Sequence, residues 1–170
     1  MTLNTILAMQ LDQQRHDDVA HQDILALPVH QRITHMVLHF AKYTGRFLNV
    51  SKTDDLLVRL LVDTAIIALS SANILRLRLD KQLEPTVPDV YDASLMTIGA
   101  ALATEQQLDV DLNGPIGQSL ALHTGAMAKA CEALDHLEAT TTEQFWRIAL
   151  PPFSYLFWPI RTYCQSISLP

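Results

Sequence analysis

The sequence predicts an all-α protein, an antiparallel helical bundle, and three observations carry that prediction. Ile33, Met36, Val37, Phe40, Ala41, Phe47 and Leu48 recur at helical spacing and share one face of a helix over 29–48. The alternation of apolar and polar residues that marks a strand is nearly absent. With 170 residues, 49% of them hydrophobic, and only 5 glycines, the chain has the apolar side chains for one well-buried core. We expect a single helical domain over 1–170, built from two related halves, 1–84 and 89–170.

The residues up to about His16 carry a weak helical pattern and form an arm, for a partner or for the body of the protein. A short helix is expected over 22–27, and Pro28 stands where a new helix begins, because its fixed φ suits a first turn. The amphipathic helix 29–48 follows. In "NVSKTDD", Ser51 or Thr53 can cap the next helix, with Asp54 and Asp55 against its positive end. That helix, 54–79, is apolar enough to raise the question of a membrane span. Arg59 and Asp63 within it, and Arg76 and Arg78 near its end, cut the uncharged run below the roughly 20 residues that cross a bilayer. A buried core helix is expected, with no membrane partner.

Pro85 and Pro88 in "DKQLEPTVPDVYD" make the best internal break. Beyond it, helices are expected over 91–108 and 116–137, separated by a turn at "DLNGPIG". A last helix, capped by Thr141 or Thr142, is bent or broken by Pro151 and Pro152. Phe145, Trp146, Phe153, Tyr155, Phe157, Trp158 and Tyr163 place 7 of the chain's 11 aromatic residues in this segment, so it is the place to look for core, for a homodimer interface or for a stacking surface. The two halves also resemble each other. "HMVLHFAKYTGRFL" and a following helix with Arg59 match "QSLALHTGAMAKACEAL" and a following helix with Arg147, with His39 opposite His123. Duplication of a helix–turn–helix unit explains this, and so does chance similarity between amphipathic helices.

Charge excludes one class of partner. Twelve Lys and Arg against 18 Asp and Glu leave a net charge of −6, whereas nucleic-acid binding relies on a positive surface to displace counterions from phosphates. Cys131 and Cys164 are too few for a disulfide framework, and the N-terminal stretch has neither a basic region nor a long apolar core. A cytoplasmic protein is expected.

Two polar stripes stand out. His35, His39, Lys42 and Arg46 lie at i, i+4, i+7 and i+11 on the first long helix. On the second, Asp55, Arg59, Asp63, Ser70 and Asn73 share a narrow sector of an otherwise apolar surface, and a polar stripe on so apolar a helix should face something specific.

"LHFAKYTGRFL" followed by "DDLLVRLLVDTAIIALSSANIL" resembles the core helix pair of the MazG-like, all-α nucleoside triphosphate pyrophosphohydrolase superfamily, over roughly 29–79. In that family one helix supplies two Glu three residues apart. The next supplies a Glu and an Asp three apart, then an Asn or Asp. The resemblance implies a Mg²⁺ site of converging carboxylates, a triphosphate substrate and a homodimer. The matching positions here are Tyr43 and Arg46, then Leu60 and Asp63, then Asn73. Asp63 is the one metal-binding carboxylate in place, and Arg46 puts a permanent charge where the cation would sit.

Three readings of the stripes follow. In the first, His35, His39, Lys42, Arg46, Arg59, Asp63 and Asn73 form a pocket for a small anion or a nucleotide without metal, and Arg59, four residues from both Asp55 and Asp63, pairs along the helix as a built-in cation. In the second, the His35–Arg46 stripe is a solvated face. In the third, His35 and His39 ligate a transition metal with Asp63. For function, one expectation is a non-catalytic binding or assembly module without cofactor. The alternative is a working pyrophosphohydrolase holding Mg²⁺ through Asp63 and Asp55 or Asp54, with help from Glu132, Asp135 or Glu138. His123 is read as a structural histidine.

Overall fold

The computed structural model describes residues 5–49, 55–83 and 114–135. All regular elements among them are helices: α1 (Thr5–Ala20), α2 (Gln22–Leu25), α3 (Val29–Asn49), α4 (Asp55–Ile74), α5 (Leu79–Leu83) and α6 (Gly114–Asp135). The expected helix over 91–108, the caps Ser51, Thr53, Thr141 and Thr142, and the aromatic run from Phe145 to Tyr163 lie outside the described residues. So does most of the second half, on which the duplication depends.

α3 is the central element because its buried residues form a continuous arc. Ile33, Met36, Val37, Phe40, Tyr43, Thr44 and Phe47 are all buried, Phe40 completely. Ala41 and Leu48, expected on that face, are instead exposed. At about 100° per residue they fall just beyond the arc centred on Phe40, which Tyr43 and Thr44 complete. One flank of α3 packs on α4 and the other on α6. α3 and α4 run antiparallel: Asn49 and Leu56 border one end of the groove between them, His35 and Ile74 the other.

α4 packs closely because its buried face is small. Ala65, Ala68 and Ala72 lie there, with Thr64 and Ser71. The two hydroxyls are satisfied within the helix, Thr64 donating to the Leu60 carbonyl at 2.5 Å and Ser71 to that of Ile67 at 2.6 Å. Thr44 does the same on α3, donating to the Phe40 carbonyl at 2.8 Å, and its oxygen lies 3.5 Å from that of Thr124 on α6. Near the start of α6, Gly117 is a point of close approach. A Cβ there would stand 2.7 Å from Leu48 Cδ2, so the lack of a side chain lets α6 lie against the end of α3.

α4 stops at Ile74, five residues short of the expected Leu79. The Leu77 amide donates to the Ala72 carbonyl at 2.8 Å and the Arg76 amide to that of Asn73 at 3.0 Å, with Arg76 at φ 55°. This is a Schellman ending, normally signalled by glycine; here an arginine takes the left-handed position, so the sequence carries no stop sign. α5 then begins with Leu79 and Asp80 fully or almost fully buried. Arg78 donates to the Asp80 carboxylate through Nε at 2.9 Å and also through Nη2, and this holds the Asp80 carboxyl below its usual range against the opposing effect of burial. The N-terminal arm packs on the body: α1 lies against α4 and α5, with Ile6 and Gln10 buried. None of the described helices is long and apolar enough to cross a membrane.

Candidate functional site

The stripe on α3 divides between two recesses, both facing α4. Lys42 and Arg46 line an open cleft of about 700 Å³ between the end of α3 and the start of α4. Gly45 and Asn49 continue its α3 side, and Leu56, Arg59, Leu60 and Asp63 form its α4 side. Among the described lining residues three cations thus face one carboxylate, in a chain whose net charge is −6.

Arg59 and Asp63 do not pair with each other. The ion pairs among the described residues are Arg15–Asp12, Arg78–Asp80 and Lys129–Glu132, and Arg46, Arg59 and Asp63 take part in none. Of the two carboxylates with which Arg59 could pair, Asp63 is not its partner, both side chains lining the cleft, and the Asp55 side chain lies outside the described residues. The Tyr43 ring is buried beneath this surface, with Lys42 Nζ 4.5 Å and the Arg46 guanidinium carbon 5.8 Å from its centroid. Burial raises the Tyr43 hydroxyl pKa, the Asp63 charge raises it further, and Arg46 opposes them.

These residues do not fit Mg²⁺. The ion needs converging oxygen ligands, and Asp63 is the one carboxylate on the cleft's described lining, against Lys42, Arg46 and Arg59. Asp54, the Asp55 and Asp135 side chains and Glu138 lie outside the described residues. Glu132 is exposed on α6, 3.0 Å from Lys129.

His35 and His39 line the second recess, about 130 Å³, together with residues of α1, α2 and α4. Lys42 Nζ is 3.1 Å from His39 Nδ1, and the two Nε2 atoms of His39 and His35 are 3.1 Å apart. An ammonium can only donate, so His39 Nδ1 accepts, its Nε2 carries the proton, and His35 Nε2 accepts in turn. This directed chain keeps His39 neutral. Burial lowers its pKa most, followed by the charges of Lys42, His35 and His21. Asp63 lies in the other recess, so the structure does not assemble the expected His35–His39–Asp63 metal set. No group of three or more His, Cys, Asp or Glu among the described residues is placed to hold a metal ion.

Asn73 lines neither recess. Its amide is engaged by Gln10 of α1, as donor and as acceptor, both at 3.0 Å. His123 is half-buried on α6, and burial lowers its pKa. Sequence reasoning missed Arg32, His21 and Asp17, which join the histidines in the second recess. Arg32 had a signal, lying three residues before His35 on the same face. Asp17 comes from α1 and His21 from the junction between α1 and α2, and they had none.

The described fold and site define an all-helical protein with a cationic cleft between two antiparallel helices. No family model, no curated protein and no solved structure matches the chain.

Proposed function

We propose that the chain is a divergent MazG-like helical protein that has lost the family's metal site and acts as a non-catalytic binding or assembly module, taking a phosphate-bearing anion or a nucleotide in the α3–α4 cleft. The observation that carries this reading is the convergence of Lys42, Arg46 and Arg59 on one open cleft without an ion pair among the described residues to neutralise them. Guanidinium groups offer planar paired donors suited to phosphate, and the cleft's volume of about 700 Å³ falls in the range of small-molecule sites. A cytoplasmic homodimer belongs to the same proposal. Val62 and Ile66, 49% and 39% exposed one turn apart on α4, are apolar surface that a second copy would cover.

Calorimetric titration of the full chain with ATP and with pyrophosphate, each with and without Mg²⁺, tests the reading. Saturable binding that needs no Mg²⁺, is lost in Arg46→Glu and releases no pyrophosphate from the nucleotide supports it. Binding and turnover that require Mg²⁺ and vanish in Asp63→Asn would establish the alternative, a working pyrophosphohydrolase.

A further inference from the structure

The second recess differs from the cleft in kind. It is small, about 130 Å³, and walled by Ile24, Met36, Ile67 and Ile74. Its polar lining includes Arg32, the His35–His39 pair and Asp17. Arg32 Nε is buried and has no hydrogen-bond partner, and among the described residues no other buried side-chain nitrogen or oxygen is left so. A guanidinium does not escape by losing its proton, and a buried donor without an acceptor is costly. Asp17, the carboxylate on the same lining, accepts from Gln13 Nε2 through Oδ1 at 2.7 Å, and it forms no ion pair with Arg32. The two histidines are engaged with each other, and His39 with Lys42.

A half-buried permanent cation with one buried, orphaned donor, on a recess lined also by isoleucine and methionine, calls for a ligand with an anionic oxygen pair at one end and hydrocarbon at the other. A phosphate is polar on every side and would leave oxygens against the apolar wall without partners. A cavity of around 150 Å³ holds a ring of six carbons, so this one has room for about six heavy atoms. We propose that the recess between α2, α3 and α4 binds a small branched monocarboxylate, its carboxylate on the Arg32 guanidinium and its hydrocarbon against Met36 and Ile67. This site is independent of the anion reading of the cleft, which takes larger and more highly charged ligands.

The test is titration of the full-length chain with isobutyrate, followed by methyl NMR of the isoleucines, with the neutral isostere isobutyramide alongside. The acid is expected to saturate at millimolar concentrations, and the amide to bind about tenfold more weakly, for loss of a charge-assisted pair. Arg32→Gln should weaken the acid by a similar factor while leaving ATP binding at the cleft unchanged. Ile67→Trp fills the recess from the opposite wall, and with its circular dichroism intact it should abolish binding of acid and amide alike. The proposal is overturned if the acid does not saturate, if acid and amide bind equally, if folded Arg32→Gln or Ile67→Trp binds the acid as the parent does, or if inorganic phosphate displaces it.

Discussion

Gln10 and Asn73 bind each other reciprocally across 63 residues of chain: Gln10 Nε2 donates to Asn73 Oδ1, and Asn73 Nδ2 donates to the Gln10 carbonyl, both at 3.0 Å. Gln10 is 5% exposed, and its side chain also donates to the Leu77 carbonyl and accepts from the Leu79 amide at 3.2 Å. One side chain therefore serves the backbone where α4 ends and α5 begins, and fixes α1 across that junction. Gln10→Ala removes the three side-chain bonds, to Asn73 Oδ1, the Leu77 carbonyl and the Leu79 amide, and leaves that amide buried without an acceptor, while the bond from Asn73 Nδ2 to the Gln10 main-chain carbonyl remains. At about 1 kcal/mol per lost bond, plus the orphaned amide, the loss should be about 2–4 kcal/mol in urea unfolding. A loss below about 0.5 kcal/mol would mean that α1 is not docked by this residue.

The end of α4 supplies a prediction of opposite sign. Arg76 holds φ 55°, a conformation that costs a side-chain-bearing residue about 1 kcal/mol or more and glycine almost nothing. Its side chain is exposed, so little packing is lost on removal. Arg76→Gly should raise stability by about 0.5–1 kcal/mol, and Arg76→Val should lower it, measured as shifts of the urea midpoint at constant slope. A destabilised glycine variant would show that the arginine side chain matters more than its backbone.

These two places mark where the sequence was and was not legible. α3 could be read almost to the residue because its period is strong and Pro28 precedes it, with the Pro28 carbonyl accepting from the Arg32 amide at 3.1 Å. Ala41 and Leu48 were misplaced because an apolar residue at the edge of an arc is exposed or buried according to the neighbour, which periodicity does not specify. The end of α4 was missed because an arginine, not a glycine, closes it. Asn73 was read as part of a ligand pocket because its sector on α4 is polar; its partner Gln10 is a non-local contact that no spacing rule reveals. Lys42, Arg46, Arg59 and Asp63 share one cleft, as expected of two facing stripes, while His35 and His39 turn to a recess completed by α1 and α2.

Histidine burial makes stability depend on pH in a definite window. His39 and His123 both titrate below 6.5 in the folded chain, through burial first and, for His39, also through Lys42, His35 and His21. Between those depressed values and 6.5 the unfolded chain binds more protons, so their contribution is complete above 6.5 and is lost as the pH falls below it. The Asp80 carboxyl, held down by Arg78, behaves alike in a lower window: its contribution is complete above about 4 and declines beneath that. The urea midpoint should therefore fall between about pH 7.5 and pH 5. His39→Gln should flatten that fall, while Asp80→Asn should flatten only the part below about pH 4. An unchanged slope in His39→Gln would place its imidazole in water in the folded state.

Asp63 is the residue at which the binding and hydrolytic readings part. It is half-buried, faces Lys42, Arg46 and Arg59, and is paired with none of them. In a metal-free anion site its charge repels the ligand, so Asp63→Asn should tighten ATP or pyrophosphate by about three- to tenfold at low salt, with a smaller gain at high salt because the cleft is open to ions. In a metal-dependent site the same substitution would weaken binding and end turnover. A second readout checks that the carboxylate is where the structure puts it: Asp63 raises the Tyr43 pKa, so ultraviolet titration of tyrosinate should find one of the four tyrosines ionising at lower pH in Asp63→Asn. Tighter anion binding together with that Tyr43 shift would tie the charge balance of the cleft to Asp63. Weaker binding with the same shift would put a cation on Asp63 and end the non-catalytic reading.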